Sequence, residues 1–211
     1  MNDTECGVAA VRDVGPDTVA IDIETPAAFS ARPGQFVKLT FQLDDEAESR
    51  FYTISSPDVE GTFEITVGID PDGTVAPELA ALAAGDSVTV AGPFGSDYYE
   101  DEPRAVILAG GPGVGPAVGI AERALADGND AAVVYQDDDP VHEERLAAIK
   151  EQGAFVRVLA DEETLTAATA TALEDGGQLF VYGFADFIDT AMDAIVAAGV
   201  DTDDAKIENF G

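Results

Sequence analysis

Short apolar runs rich in β-branched residues dominate the first part of the chain. They occupy residues 8–11, 19–23, 36–41, 63–67 and 87–90, and turn-forming residues separate them. Runs of this length and spacing are typical of an all-β barrel. One helical pattern interrupts them at residues 77–84, where Pro77 suits the first turn and Gly85 the C-terminal cap.

The second part of the chain follows a different rhythm, in which apolar strands alternate with helices. Predicted strands at residues 105–109, 131–135, 155–159 and 179–182 are each followed by a helical pattern, at 116–126, 141–150, 164–173 and 187–198. Such alternation predicts a parallel sheet covered by helices on both faces. Residues 92–103 show no periodicity, so we place the boundary there, between domains at 1–100 and 101–211.

The net charge of the chain limits the kinds of protein that it can be. The 211 residues include 42 acidic and 10 basic side chains, which give a formal net charge of −32. Self-repulsion on this scale opposes a compact state in dilute buffer, whereas molar salt shortens the Debye length to about 3 Å and removes most of it. The chain is therefore interpreted as adapted to concentrated salt. It has no basic stripe of the kind that binds nucleic acid.

Cys6 is the only cysteine, which excludes an intramolecular disulfide and an iron–sulfur cluster held by this chain's own thiolates. With no neighbouring cation, it is interpreted as an inert thiol. The first residues lack the pattern of a signal peptide, and no run of about 18 apolar residues occurs. These features predict a soluble cytoplasmic protein with neither a nucleic-acid nor a membrane partner.

A glycine-rich turn follows the strand at 105–109 and opens the next helix. Its sequence, Gly111-Pro112-Gly113-Val114-Gly115-Pro116, lets the backbone turn tightly and approach a pyrophosphate. Free N–H groups and the helix dipole at the start of a helix favour such an anion. The alternative is a strand-to-helix turn that needs glycine and proline for its geometry alone.

A second motif, Arg50-Phe51-Tyr52-Thr53, ends a predicted barrel strand. Its arginine, tyrosine and hydroxyl are expected on one face, by the two-residue repeat of a strand. A guanidinium can clamp a pyrophosphate, a phenol ring can stack on an isoalloxazine, and a hydroxyl can donate to the flavin N5. The alternative is an ordinary barrel strand on which Arg50 pairs with an acid.

Taken in order along the chain, these motifs resemble the ferredoxin–NADP⁺ reductase superfamily. The family's Arg-x-Tyr-Ser/Thr signature fits Arg50, Tyr52 and Thr53, and its C-terminal Glu-x-Phe-Gly fits residues 208–211. Further similar segments lie at 32–37, 72–77, 85–86, 92–95, 111–116 and 182–183. The resemblance implies a six-stranded antiparallel Greek-key barrel that binds FAD, followed by a doubly wound parallel-sheet domain that binds the nicotinamide dinucleotide.

The resemblance also implies which residues form the site. Thr53 is the donor to N5 and Glu208 a proton relay, while Phe210 covers the flavin or the nicotinamide. The remaining expected cofactor contacts are Arg50, Phe51, Tyr52, Thr66, Val67, Gly73, Thr74, Val75, Ala76, Gly111, Gly113, Val114, Pro116, Asp137, Tyr182, Gly183 and Phe184.

Several positions depart from the family's pattern. Ala76 replaces a usual serine or threonine, which removes a side-chain bond to the FAD pyrophosphate and leaves FMN as an open alternative. Pro112 and Gly115 replace residues that carry a hydroxyl or a methyl group. Tyr182 stands where the family often has the cysteine that positions the nicotinamide, and its bulk is expected to obstruct that pocket if the ring points inward.

Three carboxylates, Asp137, Asp138 and Asp139, follow the second strand of the α/β domain. They would repel a 2′-phosphate, whereas one of them could accept a hydrogen bond from a free ribose 2′-OH, so NADH is favoured over NADPH. The alternative is that these acids belong to the salt-adapted surface. His142, at the start of an acidic helix, is interpreted as a solvated residue with no chemical role.

The sequence therefore predicts an FAD-dependent NAD(P)H oxidoreductase that transfers hydride between nicotinamide and flavin. In such an enzyme the electrons pass on to a ferredoxin- or flavodoxin-type protein or to a partner oxygenase. Two alternatives stay open at this point. One is an electron-transfer subunit of a larger complex, and the other is a degenerate flavin-binding module without nicotinamide turnover.

Overall fold

The computed structural model describes residues 3–43, 46–70, 73, 75–160 and 165–211, which form two sheets in succession along the chain. The first sheet contains six antiparallel strands in the order β4-β3-β6-β1-β2-β5. A bridge between Ile54, which follows β4, and Ile65 of β5 joins the two edges, so the sheet curls into a barrel. The strands are β1 (Thr4–Gly15), β2 (Thr18–Glu24), β3 (Phe36–Leu43), β4 (Glu46–Thr53), β5 (Thr62–Gly68) and β6 (Ser87–Phe94).

The barrel's helix, α1 (Ala76–Ala80), is shorter than the predicted segment at 77–84. Hydrogen bonds to β1 explain the early end. The N–H of Gly85 donates to the carbonyl of Val8 at 2.9 Å, and the N–H of Val8 donates to the carbonyl of Asp86 at 2.8 Å. The chain after α1 therefore leaves the helix to run beside β1, which helical propensity in the sequence did not reveal.

The second sheet contains five parallel strands in the order β11-β10-β7-β8-β9. They are β7 (Arg104–Gly110), β8 (Asp130–Gln136), β9 (Phe155–Leu159), β10 (Gln178–Gly183) and β11 (Lys206–Asn209). Numbered within this domain the order is 5-4-1-2-3, that of a doubly wound sheet, whose ligands bind beyond the carboxyl ends of the strands. Both predicted sheets are thereby confirmed.

Helices cover both faces of this second sheet, as predicted. A short 3₁₀ helix (Gly111–Gly113), α2 (Val114–Ala126) and α3 (Glu143–Glu151) follow β7 and β8, and α2 and α3 pack on the face that presents Ile107 and Val133. Helices α4 (Leu165–Ala172) and α5 (Ala185–Ala197) pack on the opposite face, against Val106 and Val134. No helix among the described residues is both long and apolar enough to cross a membrane.

Two features at the sheet ends were not predicted. Strand β6 continues through Phe94, so the segment interpreted as aperiodic begins inside a strand. Strand β11 was not recognised because it is only 4 residues long. It pairs in parallel with β10 and sets Glu208 opposite Tyr182, which brings the C-terminal segment to the carboxyl edge of the sheet.

Candidate functional site

A cleft of about 760 Å³ lies between the barrel and the carboxyl edge of the parallel sheet. The two motifs on which the sequence interpretation depends both line it. The predicted site residues along its walls are Arg50, Phe51, Tyr52, Thr53, Thr66, Gly111, Pro116, Asp137, Phe184, Glu208 and Phe210. Four further lining residues belong to motifs named from the sequence: Pro112, Asp139, Asn209 and Gly211. Sequence reasoning did not single out the others, which are Pro16, Asp17, Thr18, Gly68, Ile69, Asp70 and Val141.

The barrel wall of the cleft is the edge strand β4. Tyr52 pairs with the core residue Val37, whereas Thr53 pairs with Phe36, so Tyr52 and Thr53 lie on opposite faces of the strand. The expectation that arginine, tyrosine and hydroxyl share one face is therefore wrong for Thr53. The cleft contains all three because it wraps around the end of this edge strand.

Arg50 and Tyr52 differ in how firmly they are held. The Arg50 guanidinium is 49% exposed and makes a 3.1 Å ion pair with Glu48, a contact of small energy at the surface. Burial raises the pKa of the Tyr52 phenol to about 12, and the Arg50 charge opposes that rise. Tyr52 therefore presents a neutral ring to the cleft, while the half-exposed Arg50, whose guanidinium also donates to the carbonyl of Ser49 at 2.8 Å, places a positive charge beside it.

Thr53 and Glu208 meet in the cleft although 155 residues separate them. The Thr53 hydroxyl donates a 2.9 Å hydrogen bond to the Glu208 carboxylate. Burial raises the pKa of Glu208 from its ordinary value of 4.5 to about 7, the bond from Thr53 lowers it, and the charge of Asp97 adds to the rise. A carboxyl group that titrates near neutrality can both hold and release a proton under physiological conditions.

The opposite wall is the glycine-rich turn between β7 and α2. Gly111 has a φ of +55°, a left-handed conformation that favours glycine, and a Cβ added there would meet nothing within 4 Å. Gly113 is needed for another reason, because a Cβ there would lie 2.2 Å from the carbonyl oxygen of Tyr182. Gly113 and Val114 are buried beneath the turn, so only Gly111, Pro112 and Pro116 face the cleft.

Tyr182 does not obstruct the cleft. Its side chain is 1% exposed and is absent from the cleft lining, and its hydroxyl donates to the carbonyl of Asp97 at 3.2 Å. The neighbouring Gly183 is buried beneath the ring of Phe187. Tyr182 therefore packs under the junction of the domains, and the obstruction considered from its bulk does not occur.

Aromatic side chains flank the mouth of the cleft. Phe184 is 50% exposed and meets Phe210 edge-on, with ring centroids 6.1 Å apart. Phe51 is 62% exposed on the barrel side and lies 6.2 Å from Phe94 and 5.6 Å from Phe36, again between ring centroids. Exposed aromatic rings from both domains therefore line the cleft, with Phe51 on the barrel and Phe184 on the α/β domain.

Asp137 lies where the main cleft meets a smaller hollow of about 250 Å³, which Gln136 and Asp138 also line. Its carboxylate accepts hydrogen bonds from the Tyr135 hydroxyl and from the N–H of Asp139, each at 2.9 Å. The carboxylate is thus held in one orientation at the carboxyl end of β8. This is the place at which a doubly wound fold contacts a ribose.

Several predicted contacts lie away from the cleft lining. Val67 and Val75 are buried in the barrel core, and neither Gly73 nor Ala76 lines the cleft. Thr74 lies outside the described residues. The expected phosphate turn at 72–77 therefore stays a prediction from the resemblance.

His142 is not solvated, which corrects the interpretation made from the sequence. It is 4% exposed and adopts a left-handed backbone at the start of α3, and its Nε2 lies 2.8 Å from Oγ1 of Thr66 on the barrel. The acidic residues that follow suggested an exposed position. Nothing local in the sequence indicates that the preceding loop turns this side chain into the junction between the domains.

The residues of the cleft fit a flavin dinucleotide. Its volume lies within the roughly 300–1,000 Å³ typical of ligand sites. It offers a ring (Tyr52), a hydroxyl (Thr53), a half-exposed cation (Arg50) and an open glycine backbone (Gly111). Five acidic residues and one arginine line it, so an anionic group is best accommodated near Arg50 and the open backbone.

Comparison with known proteins shows which class of protein this chain resembles. Residues 5–99 match the family model described as "Oxidoreductase FAD-binding domain". A ferredoxin NADP⁺ reductase from Neisseria gonorrhoeae, solved with bound FAD and NADP, superposes over the whole of both chains with a TM-score of 0.85 at 18% identity. The first part of the chain is therefore similar to FAD-binding oxidoreductase domains, and the chain as a whole has a ferredoxin–NADP reductase-like fold.

Two curated relatives extend the similarity. The ferredoxin reductase component of 3-ketosteroid-9-alpha-monooxygenase from Mycolicibacterium smegmatis is 31% identical over 194 residues, 84% of this chain and 55% of that one. The electron transfer component of toluate 1,2-dioxygenase from Pseudomonas putida is 29% identical over 153 residues, 68% of this chain and 45% of that one. The chain thus spans about half the length of these relatives.

Proposed function

We propose that the chain is an FAD-dependent NAD(P)H oxidoreductase that passes electrons to a protein acceptor. The observation that carries the proposal is the cleft itself, in which the Arg50–Thr53 strand end and the glycine-rich turn face each other. Bound FAD would be reduced by hydride from the nicotinamide, which is oxidised, and would then release the electrons singly.

The chain's own residues account for binding and proton handling in this proposal. Tyr52 supplies a neutral aromatic face, Arg50 neutralises a phosphate, and the turn that begins at Gly111 receives the dinucleotide's pyrophosphate on its backbone. Glu208 and Thr53 hold a proton within the cleft, since the pKa of Glu208 lies near 7. Their contact supports the assignment of Thr53 and Glu208 as the catalytic pair.

NADH is the nucleotide that the electrostatics favour. The fixed carboxylate of Asp137 can accept a hydrogen bond from a ribose hydroxyl, and Asp138 lines the same hollow. A 2′-phosphate placed here would face like charge in a partly enclosed site. This favours NADH over NADPH as the electron donor.

A protein acceptor is supported by exposed aromatic residues on the barrel, one of which, Phe51, lines the cleft. Phe51 and Phe94 are 62% and 40% exposed and contact Phe36, so they form an apolar patch on a strongly acidic protein. Exposed patches of this kind mark protein interaction sites. The partner is proposed to be a ferredoxin- or flavodoxin-type protein or an oxygenase, as the names of the relatives suggest.

Anaerobic stopped-flow mixing of flavin-loaded protein with NADH or NADPH in molar KCl tests the proposal. Bleaching of the flavin absorbance is the expected result, and it should be faster with NADH. Absorbance that stays unchanged with both nucleotides would refute the reductase. Bleaching without re-oxidation by any protein acceptor of the proposed class would leave an electron-transfer subunit of a larger assembly as the better description.

A further inference from the structure

The α/β domain and the barrel are joined directly behind the cleft, and His142 is part of that joint. The N–H of His142 donates to the carbonyl of Val14 on β1 at 2.9 Å. Its imidazole Nε2 lies 2.8 Å from Oγ1 of Thr66 on β5. One residue of the α/β domain is therefore anchored to two strands of the barrel, through its backbone and through its side chain.

The hydrogen bonding continues into the barrel from Thr66. Its Oγ1 lies 2.8 Å from Oγ of Ser55, which is fully buried. Thr66 also lines the cleft, as does Val141, the residue before His142. The His142–Thr66 contact thus joins two parts of the cleft wall that belong to different domains.

Arg145, one turn further along α3, makes a second link to the same place. Its guanidinium pairs with Glu64 of β5 at 2.6 Å and donates to the carbonyl of Ser55 at 2.7 Å. It also pairs with Glu122 of α2 at 2.7 Å. Helices α2 and α3 are therefore held as a unit against one corner of the barrel.

Close packing fixes α2 at this corner as well. A Cβ added to Gly115 would lie 2.5 Å from both Ser55 Oγ and Thr66 Oγ1, and one added to Gly119 would lie 2.7 Å from the carbonyl of Ser55. The first turn of α2 carries the glycine-rich turn of the cleft. The distance across the cleft is consequently set where α2, α3 and β5 meet.

We propose that His142 is a positioning residue for hydride transfer, and that its contact with Thr66 holds the nucleotide-binding turn at the correct distance from the flavin wall. The inference rests on the function proposed above. Hydride transfer is steeply sensitive to geometry, because a misplacement of about 1 Å can reduce a rate about 100-fold. Binding of either cofactor within its own domain is much less sensitive to how the domains are placed.

The environment of His142 keeps its imidazole uncharged. Burial, together with the charges of Arg145 and Arg12, lowers the pKa of the imidazole to about 3. Glu64, which faces the same corner, forms ion pairs with both of those arginines. The imidazole is therefore neutral at any working pH, so its contact with Thr66 is a fixed hydrogen bond.

Three variants test this role. His142→Asn keeps a residue that tolerates the left-handed backbone but whose side chain is too short to reach Thr66. His142→Gln restores the reach, and Thr66→Val removes the hydroxyl with little change of shape. The limiting rate of flavin reduction at saturating NADH, the NADH concentration at half that rate, the flavin content and the unfolding midpoint are measured for each variant and for the Asn/Val double variant.

His142→Asn and Thr66→Val should each lower the limiting rate roughly tenfold or more. The NADH concentration that gives half the limiting rate should change less than about threefold. His142→Gln should recover most of the rate. Because the two residues act through one contact, the double variant should be no slower than the slower single variant. Three results would overturn the inference while leaving the proposed reductase intact. The limiting rates of the variants could be unchanged, the rate losses of the two single variants could add in the double variant, or the rate could fall only in proportion to the flavin content. A wild-type protein reduced by neither nucleotide would overturn both.

Discussion

Replacing Glu208 with glutamine probes the proton-holding group of the cleft directly. In the folded protein burial raises the pKa of this carboxyl from 4.5 to about 7. Between these two values the folded state keeps a proton that the unfolded chain has lost. The contribution of Glu208 to stability is therefore fully present below about pH 4.5, is lost as the pH rises to about 7, and stays constant above that. Glutamine does not titrate and removes this dependence.

The size of the effect follows from the difference between the two pKa values. At about 1.4 kcal/mol for each pH unit, the interval from 4.5 to about 7 amounts to roughly 3 kcal/mol. The free energy of unfolding of Glu208→Gln minus that of the wild type should rise by this amount across the interval. A glutamine amide can still accept the hydrogen bond from Thr53, so little additional change is expected at low pH.

Urea denaturation at fixed molar KCl and a series of pH values from about 4 to 8.5 measures this difference. The matched control is Glu151→Gln, which removes one charge from an exposed position on α3. Wild-type and Glu208→Gln curves that stay parallel across the whole pH range would show that Glu208 titrates alike in the folded and unfolded states. The proton relay would then lose its physical basis.

Three further predictions concern the cofactors and salt. Tyr52→Ala should weaken flavin retention by about 1 kcal/mol through lost ring contact; equal flavin release from Tyr52→Ala and the control Tyr52→Phe would contradict this. Asp137→Ser should raise kcat/KM for NADPH relative to NADH roughly tenfold by removing a repulsive charge; an unchanged ratio would count against the NADH preference. Raising KCl from about 0.1 to 2 M should raise the unfolding midpoint, because screening weakens the repulsion among 42 acidic residues; a midpoint independent of KCl would refute salt adaptation.

The sheets could be predicted from sequence because their patterns are local. The β-rich runs of the barrel and the strand–helix alternation after Arg104 each reflect burial within a single element. Strand β11 could not be predicted in this way, because its 4 residues are too few to show a hydrophobic pattern. It becomes a strand by pairing with β10, and only the resemblance of residues 208–211 to a family motif drew attention to it.

The site could be predicted where a motif stays within one segment, and not where it depends on packing between domains. Arg50 and Gly111 fall in the cleft because strand ends and glycine turns place them there. His142 is judged wrongly from the sequence for this reason, and the direction of the Tyr182 ring could not be predicted for the same reason. The side chain of Tyr182 contacts Asp97, and that of His142 contacts Thr66. Both contacts lie between the two domains and depend on how the domains pack.

The few basic residues of this acidic protein include two that lie where its structural units meet. The chain has only 10 basic residues, and two of them form close ion pairs where parts of the structure meet. Arg145 of α3 pairs with Glu64 of the barrel, and Lys206 of β11 pairs with Glu102, which precedes β7. Pairs that are largely removed from water are screened by salt much less than exposed charges are. Salt can therefore relieve repulsion among surface acids without loosening these ion pairs. A strongly acidic surface is thus compatible with the fixed domain geometry that the proposed hydride transfer requires.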